Sequence, residues 1–256
     1  MTLELVGRTA LVTGGMRGVG LAVARSLAEA GASVVIHDLG DQGRAEQVAT
    51  GLLAAGAPAV QFAFFDLRDA SAVAEGLADV AARQVIDIVV NNAGMQSTSP
   101  LGEMDRQSWD GILATNLTAA FETMRLFLPG MRERGYGRVV NIASVHGLVA
   151  SVDKAAYVAA KHGLVGLTKV AALEYATAGS ASSGGVTINA VCPGWTETAL
   201  IEPQIQRIAA EHGGDRVAGV AALLSAKQPS RRGHTRPRSR GARVRGEIRR
   251  YPRTGR

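Results

Sequence analysis

Apolar residues in this chain fall in short unbroken runs, separated by longer stretches in which they recur every three or four positions. Ala10-Leu11-Val12 is the first run, and it ends in a glycine-rich turn, Thr13–Gly20. A helical pattern follows to Ala30, where Gly31 stops it. Ser33–His37 reads as a second strand, 44–55 as a helix, Ala59–Phe65 as a strand and 69–83 as a helix. Ile86–Val90 reads as a buried strand. A long helix is predicted over 106–133, with Pro129 as the expected kink. Gly137–Ala143 is a predicted strand, 154–177 a helix and Val186–Val191 a strand, with helix and loop onward to about 227. Strand and helix alternate, and the strands are apolar at successive positions rather than at every second one. That pattern belongs to the α/β class: a doubly wound parallel sheet with helices on both faces.

Composition narrows the class. Of 256 residues, 46% are hydrophobic and 20% charged, which excludes a wholly disordered chain. A single Cys excludes a disulfide framework and a Cys-based metal cage, so no metal is expected. The start, Met1–Leu5, has no basic segment leading into an apolar one, and no apolar run reaches membrane-spanning length. The expectation is a cytoplasmic protein with no membrane partner. The net charge of +6 is unevenly spread: residues 231–256 hold 11 Arg and one acid (Glu247), while 1–230 carries a net −4. The larger apolar residues of that tail are Val244, Ile248 and Tyr251, too few to offset the entropy of ordering it. The chain therefore divides into a domain, 1–230, and an Arg-rich tail, 231–256, expected to be disordered. The tail lacks interleaved aromatics, so a nucleic-acid partner is not expected, and a phosphate-binding tail stays the alternative of a different class.

Gly14, Gly18 and Gly20 sit between the first strand and the first helix. Such a cluster also fits an ordinary turn. Between a strand and a helix it lets the backbone approach a pyrophosphate, which the helix N-terminus stabilises. Asp38 ends the second strand, 18 residues after Gly20. A carboxylate there hydrogen-bonds the ribose hydroxyls and repels a 2′-phosphate, predicting NAD over NADP. Arg17 is the contrary signal, a cation placed to hold such a phosphate. Asn91-Asn92-Ala93-Gly94 closes the fourth strand at its carboxyl end, where open parallel sheets bind ligands.

Tyr157 and Lys161 are four apart on a predicted helix and share a face. Ser144 closes the preceding strand, 13 residues before Tyr157. Together with Thr13-Gly14, Gly18-Val19-Gly20, Asn91–Gly94, Asn116 and Pro193-Gly194, they make residues 1–228 resemble the short-chain dehydrogenase/reductase family. The resemblance implies a Rossmann-type sheet, an NAD cofactor and a homo-tetramer. It implies that Tyr157 is the general base, Ser144 holds the substrate oxygen, Lys161 holds the nicotinamide ribose and Asn116 positions a relay water; on its own Asn116 also fits a helix kink or a cap. It adds Val19, Asp66, Leu67, Asn92, Ala93, Gly94 and Pro193 as cofactor contacts. The chemistry is physically sound. Lowering a phenol pKa from about 10 by ~3 needs ~4 kcal/mol, and one cation at about 4 Å contributes ~4 kcal/mol at an effective dielectric of 20.

Four polar residues fall near the implied site: Gln96, His146, Lys154 and Gln204. Singly, each also fits an exposed loop position. Jointly, a cation, an imidazole and two amides make a carboxylate clamp. The runs Ala93–Gln96, Ala143–Ser151, Lys154–Gly163, Cys192–Trp195 and Lys227–Ser230 resemble one subgroup, the 3-hydroxybutyrate dehydrogenases. That subgroup resemblance implies a carboxylate held by the four residues, with Trp195 as an apolar wall. The implied reaction is (R)-3-hydroxybutyrate plus NAD giving acetoacetate plus NADH; the alternative is another short-chain reductase, such as a 3-oxoacyl reductase. The resemblance stops after Ser230, where the family continues with a helix, a last strand and a Gly pair. The last strand is therefore expected to be missing, and the Arg, Gly, Pro and Ser dominance beyond fits a reading-frame shift near 231.

Overall fold

A computed structural model describes residues 4–180, 182–194, 196 and 202–227. The expected missing strand and the tail 231–256 lie outside these residues. The strands are β1 (Thr9–Thr13), β2 (Ser33–Asp38), β3 (Val60–Phe64), β4 (Ile88–Asn91), β5 (Tyr136–Ile142) and β6 (Gly185–Val191). They form one parallel sheet in the order β3-β2-β1-β4-β5-β6. The order reverses between β1 and β4, so their carboxyl ends flank a crevice of the kind in which doubly wound sheets bind ligands.

Helices α1 (Gly18–Glu29), α2 (Gln42–Ala55) and α3 (Ala70–Arg83) follow β1, β2 and β3. After β4 come α4 (Arg106–Leu113) and α5 (Ala119–Arg134), and after β5 comes α6 (Ala155–Glu174). Helices α7 (Glu202–Glu211) and α8 (Arg216–Lys227) follow β6. Four helices start on aspartates whose carboxylates accept from first-turn N–H groups: Asp41 for α2, Asp69 for α3, Asp105 for α4 and Asp215 for α8. Successive strand residues face opposite layers. Val34 and Ile36 pack with Ala24, Ala28, Val48 and Leu52, whereas Leu11, Val35 and Val89 pack with Leu77, Phe127 and Met131. Both faces are covered, which is why the central strands carry no polar alternation.

The predicted helix 106–133 is interrupted, and not at Pro129, which lies inside α5. The break is a π-helical turn, Ala114–Thr118, between α4 and α5. It contains Asn116, whose side chain is hydrogen-bonded outside the helix; such single-turn insertions concentrate at functional sites.

Candidate active site

A cavity of about 560 Å³ opens at the carboxyl ends of the strands. Its first wall is the glycine-rich turn. Gly14 and Gly18 adopt left-handed φ values of 62° and 57°, which side-chain-bearing residues rarely adopt. Unlike α2, α3 and α4, helix α1 starts without a side-chain cap, at Arg17. Its first-turn N–H groups are thus free to meet an anion. Gly20 is not a wall residue. A Cβ there would strike the Gly14 carbonyl and the Asn92 amide, so its role is close packing of turn against sheet.

The turn is tied to the end of β4. Thr13 Oγ1 accepts from the N–H groups of Asn92 and Ala93, both at 3.0 Å. Asn92 Nδ2 donates back to the carbonyls of Thr13 (3.0 Å) and Gly14 (3.1 Å). The Met16 N–H donates to Asp38 Oδ2 at 3.2 Å, and Arg44 Nε donates to the Met16 carbonyl at 3.1 Å. Asp38 therefore braces the turn and also lines the cavity, beside Arg17.

At the other end, Ser144, Tyr157 and Lys161 converge. Ser144 follows β5, and its Oγ accepts from the His146 N–H at 3.1 Å. Tyr157 and Lys161 lie on α6 and are buried. Burial pushes the Tyr157 phenol above its ordinary value, and a hydrogen bond with Ser144 draws it part of the way back. Burial pulls the Lys161 ammonium down to about 8. Lys161 Nζ donates to the Ile142 carbonyl at 2.8 Å and stands 5.7 Å from the Tyr157 ring centre. At that separation the ammonium does not offset the burial of the phenol.

Lys154 and His146 are buried, line the same cavity and carry two of the residues expected to hold a carboxylate; Gln96 lines it too. The His146 ring stands edge-on to Tyr157, 6.3 Å between centres. Asp153, in a left-handed conformation at φ 61°, turns the chain into Lys154 at the head of α6. Trp195 lies outside the described residues, as does the side chain of Gln204.

Asn116, expected to position a relay water, has its side chain bonded within the protein. Its Oδ1 accepts from the Met95 N–H at 2.9 Å and its Nδ2 donates to the Met95 carbonyl at 2.7 Å. The side chain is thus turned to the Met95 peptide from behind the wall, next to Gln96, and it is Thr115 that lines the cavity. Among the other expected contacts, Val19, Asp66, Leu67, Ala93, Gly94 and Pro193 are wall residues. His37, Leu39 and Arg68 also line the cavity without belonging to any of the motifs. Their sequence signal is position alone, one or two residues from Asp38 or Asp66.

No helix among the described residues is long and apolar enough to cross a membrane, and no cluster among them has the side chains to hold a metal ion. A glycine cradle on an uncapped helix, an Asp at the end of β2 and a buried Ser-Tyr-Lys group fit a nicotinamide dinucleotide, and the class this defines is a nucleotide-dependent oxidoreductase. The short-chain dehydrogenase family model matches residues 8–208, and the chain belongs to that family. It is 42% identical over 230 residues to the D-beta-hydroxybutyrate dehydrogenase of Cupriavidus necator, covering 88% of this chain and 85% of that one. It is 40% identical over 226 residues to the protein of the same name from Rhizobium meliloti, with the same coverage. Among solved structures it is similar to a gluconate 5-dehydrogenase from Burkholderia cenocepacia in complex with NADP and tartrate: TM-score 0.76, 32% identity, 91% of this chain and 85% of that one.

Proposed function

We propose that the protein oxidises (R)-3-hydroxybutyrate to acetoacetate with NAD. The observation that carries this reading is Lys154, a lysine only 2% exposed in the cavity that also holds Ser144, Tyr157 and Lys161. An ammonium on the cavity wall is a charged donor suited to an anionic substrate. With His146 and Gln96 on the same wall, a carboxylate is the group of matching charge and donor demand. The similarity to two D-beta-hydroxybutyrate dehydrogenases supports the same substrate.

Tyr157 takes the hydroxyl proton of the substrate while Ser144 donates to the same oxygen. A nicotinamide bound there would supply a hydride acceptor for the carbinol carbon and a positive charge that lowers the phenol. Lys161 holds the nicotinamide ribose, and Gly14, Gly18 and Val19 hold the pyrophosphate. Asp38 supports NAD, because a 2′-phosphate would approach a carboxylate already fixed by the Met16 N–H. Arg17, on the cavity wall, favours NADP as the second reading.

The test is absorbance at the reduced nicotinamide band, with (R)- and (S)-3-hydroxybutyrate and with NAD and NADP. Selective turnover of the (R) acid with NAD is expected. Lys154→Ala should lower kcat/KM for the acid about 10- to 100-fold while changing turnover of its methyl ester little. Equal losses on acid and ester would reject the carboxylate clamp, and preference for NADP would reject the role given to Asp38.

A further inference from the structure

Among the described residues, Asp153 is the only one besides glycines with a left-handed backbone, at φ 61°. A Cβ makes that conformation unfavourable, and Asn and Asp tolerate it better than other side-chain-bearing residues. Backbone outliers of this kind cluster at functional sites. Asp153 also stands between two extremes of exposure. Val152, just before it, is 78% exposed, and Lys154, just after it, is 2% exposed. Across this one residue the chain passes from the surface to the cavity wall.

Two further observations tie the turn to the site. The Asp153 carbonyl accepts from the Ser99 N–H at 3.0 Å. Ser99 lies three residues after Gln96, so this bond joins the loop that carries Gln96 to the turn that carries Lys154. Lys154 itself stands just ahead of α6, at φ −133° and ψ 34°, and its carbonyl accepts from the Val158 N–H at 2.8 Å. Its backbone is thus fixed by the helix after it and by Asp153 before it. A helix N-terminus is the positive end of the helix dipole and disfavours a cation. Local stability therefore accounts neither for the lysine at this end nor for the left-handed residue beside it. Two adjacent unfavourable choices on a cavity wall mark a place held for what the wall binds.

We propose that Asp153 is a positioning residue for recognition of the substrate carboxylate: its left-handed backbone turns Lys154 into the cavity. Backbone conformation carries this role, and the Asp153 carboxylate does not. The inference rests on the carboxylate reading of Lys154.

The test separates backbone from charge. Asp153→Asn and Asp153→Gly keep ready access to the left-handed region, and Asp153→Ala does not. Initial rates at saturating NAD give kcat and KM for (R)-3-hydroxybutyrate and for its methyl ester, and a fluorescence titration gives the affinity for NADH. Asp153→Ala should raise KM for the acid about tenfold, while kcat, KM for the ester and NADH affinity each stay within about twofold. Asp153→Asn and Asp153→Gly should keep KM for the acid within about twofold of the wild type. An unchanged KM for the acid in Asp153→Ala would overturn the proposal. Asp153→Asn as impaired as Asp153→Ala would assign the effect to the carboxylate and would also overturn it. So would equal losses on acid and ester, or a loss of NADH affinity, which are the marks of general damage. Lys154→Ala, assayed alongside, keeps the two readings apart. If it lowers kcat/KM for the acid while Asp153→Ala does nothing, only the role of Asp153 falls. If it leaves the acid unaffected, the carboxylate reading falls and this inference with it.

Discussion

Lys161 and Ile142 are joined by a 2.8 Å hydrogen bond from Nζ to the main-chain carbonyl, and this bond holds the ammonium 5.7 Å from the centre of the Tyr157 ring. The strand end thus fixes the cation for the helix residue one turn before it. Ile142 is the last residue of β5, two before Ser144, so one stretch of chain orients all three groups.

Tyr157 has the hydroxyl that the proposed proton transfer needs. Tyr157→Phe keeps the ring packed among Ile112, Ala156 and Ala160 and removes only that group. Turnover should fall at least about 10²- to 10⁴-fold with NADH binding retained. Initial rates and a fluorescence titration measure both; turnover near the wild-type level would rule out Tyr157 as the base.

The pKa of Lys161 sets an alkaline signature. It is a base whose folded pKa, about 8, lies below its ordinary 10.5. Below pH 8 both folded and unfolded chains hold the proton, and the cost of burying the charge is fully in force. Between 8 and 10.5 the unfolded chain alone holds it, so raising the pH relieves that cost. The contribution of Lys161 to stability therefore improves across this window, by on the order of 3 kcal/mol in total. Lys161→Met should lack the improvement. Urea midpoints of both proteins at pH 7.5 and 9.5 measure it, and parallel changes in the two would contradict the assignment.

His37 gives the opposite end of the pH scale. Burial lowers its pKa from the ordinary 6.5, against smaller opposing effects of the Phe65 carbonyl, Asp38 and Asp66. The ring is 2% exposed, with Nε2 on the Phe65 carbonyl at 3.0 Å. As pH falls below 6.5 the unfolded chain takes up a proton that the folded ring resists, so this group destabilises the fold in acid. His37→Leu should be less stable than wild type at pH 7.5, having lost the bond to Phe65, and should lose less on going to pH 5. Equal losses in the two proteins would contradict this.

A buried polar chain joins the neighbouring strands β4 and β5 to helices α5 and α6. Thr123 Oγ1 donates to Asn91 Oδ1 at 2.7 Å, Asn91 Nδ2 to Asn141 Oδ1 at 2.8 Å, and Asn141 Nδ2 to Thr168 Oγ1 at 2.9 Å. Thr123→Val preserves shape and strands the Asn91 acceptor, which should cost about 1–3 kcal/mol. Urea denaturation measures the loss. A cost below about 0.5 kcal/mol would show that the chain carries little of the stability.

The α/β order, the six strands and the glycine turn were legible in the sequence because each rests on local spacing. A run such as Ser33–Asp38 is apolar wherever it is buried on both sides, and Tyr157 and Lys161 share a face on any helix. What spacing did not reveal were relationships across the sheet. Pro129 is the local signal for a kink and Asn116 on its own fits a helix kink or a cap; that the break falls at Ala114–Thr118 follows from the bond of Asn116 to Met95, 21 residues away. Gly20 was read as a cofactor contact. Its small size is required by the Gly14 carbonyl within the turn and by the Asn92 amide, which the pairing of β1 with β4 brings to it. Nor did local pattern indicate that Asn91 meets Asn141, 50 residues on, or that Arg68 forks onto Asp66 at the rim of a cavity. By itself, the sequence determined the elements and the chemical groups at their ends, since those follow from periodicity and residue type. Tertiary structure alone decided which groups face the cavity, which brace it from behind and how far Lys161 stands from Tyr157, because burial and hydrogen-bond partners are properties of strand register and helix packing.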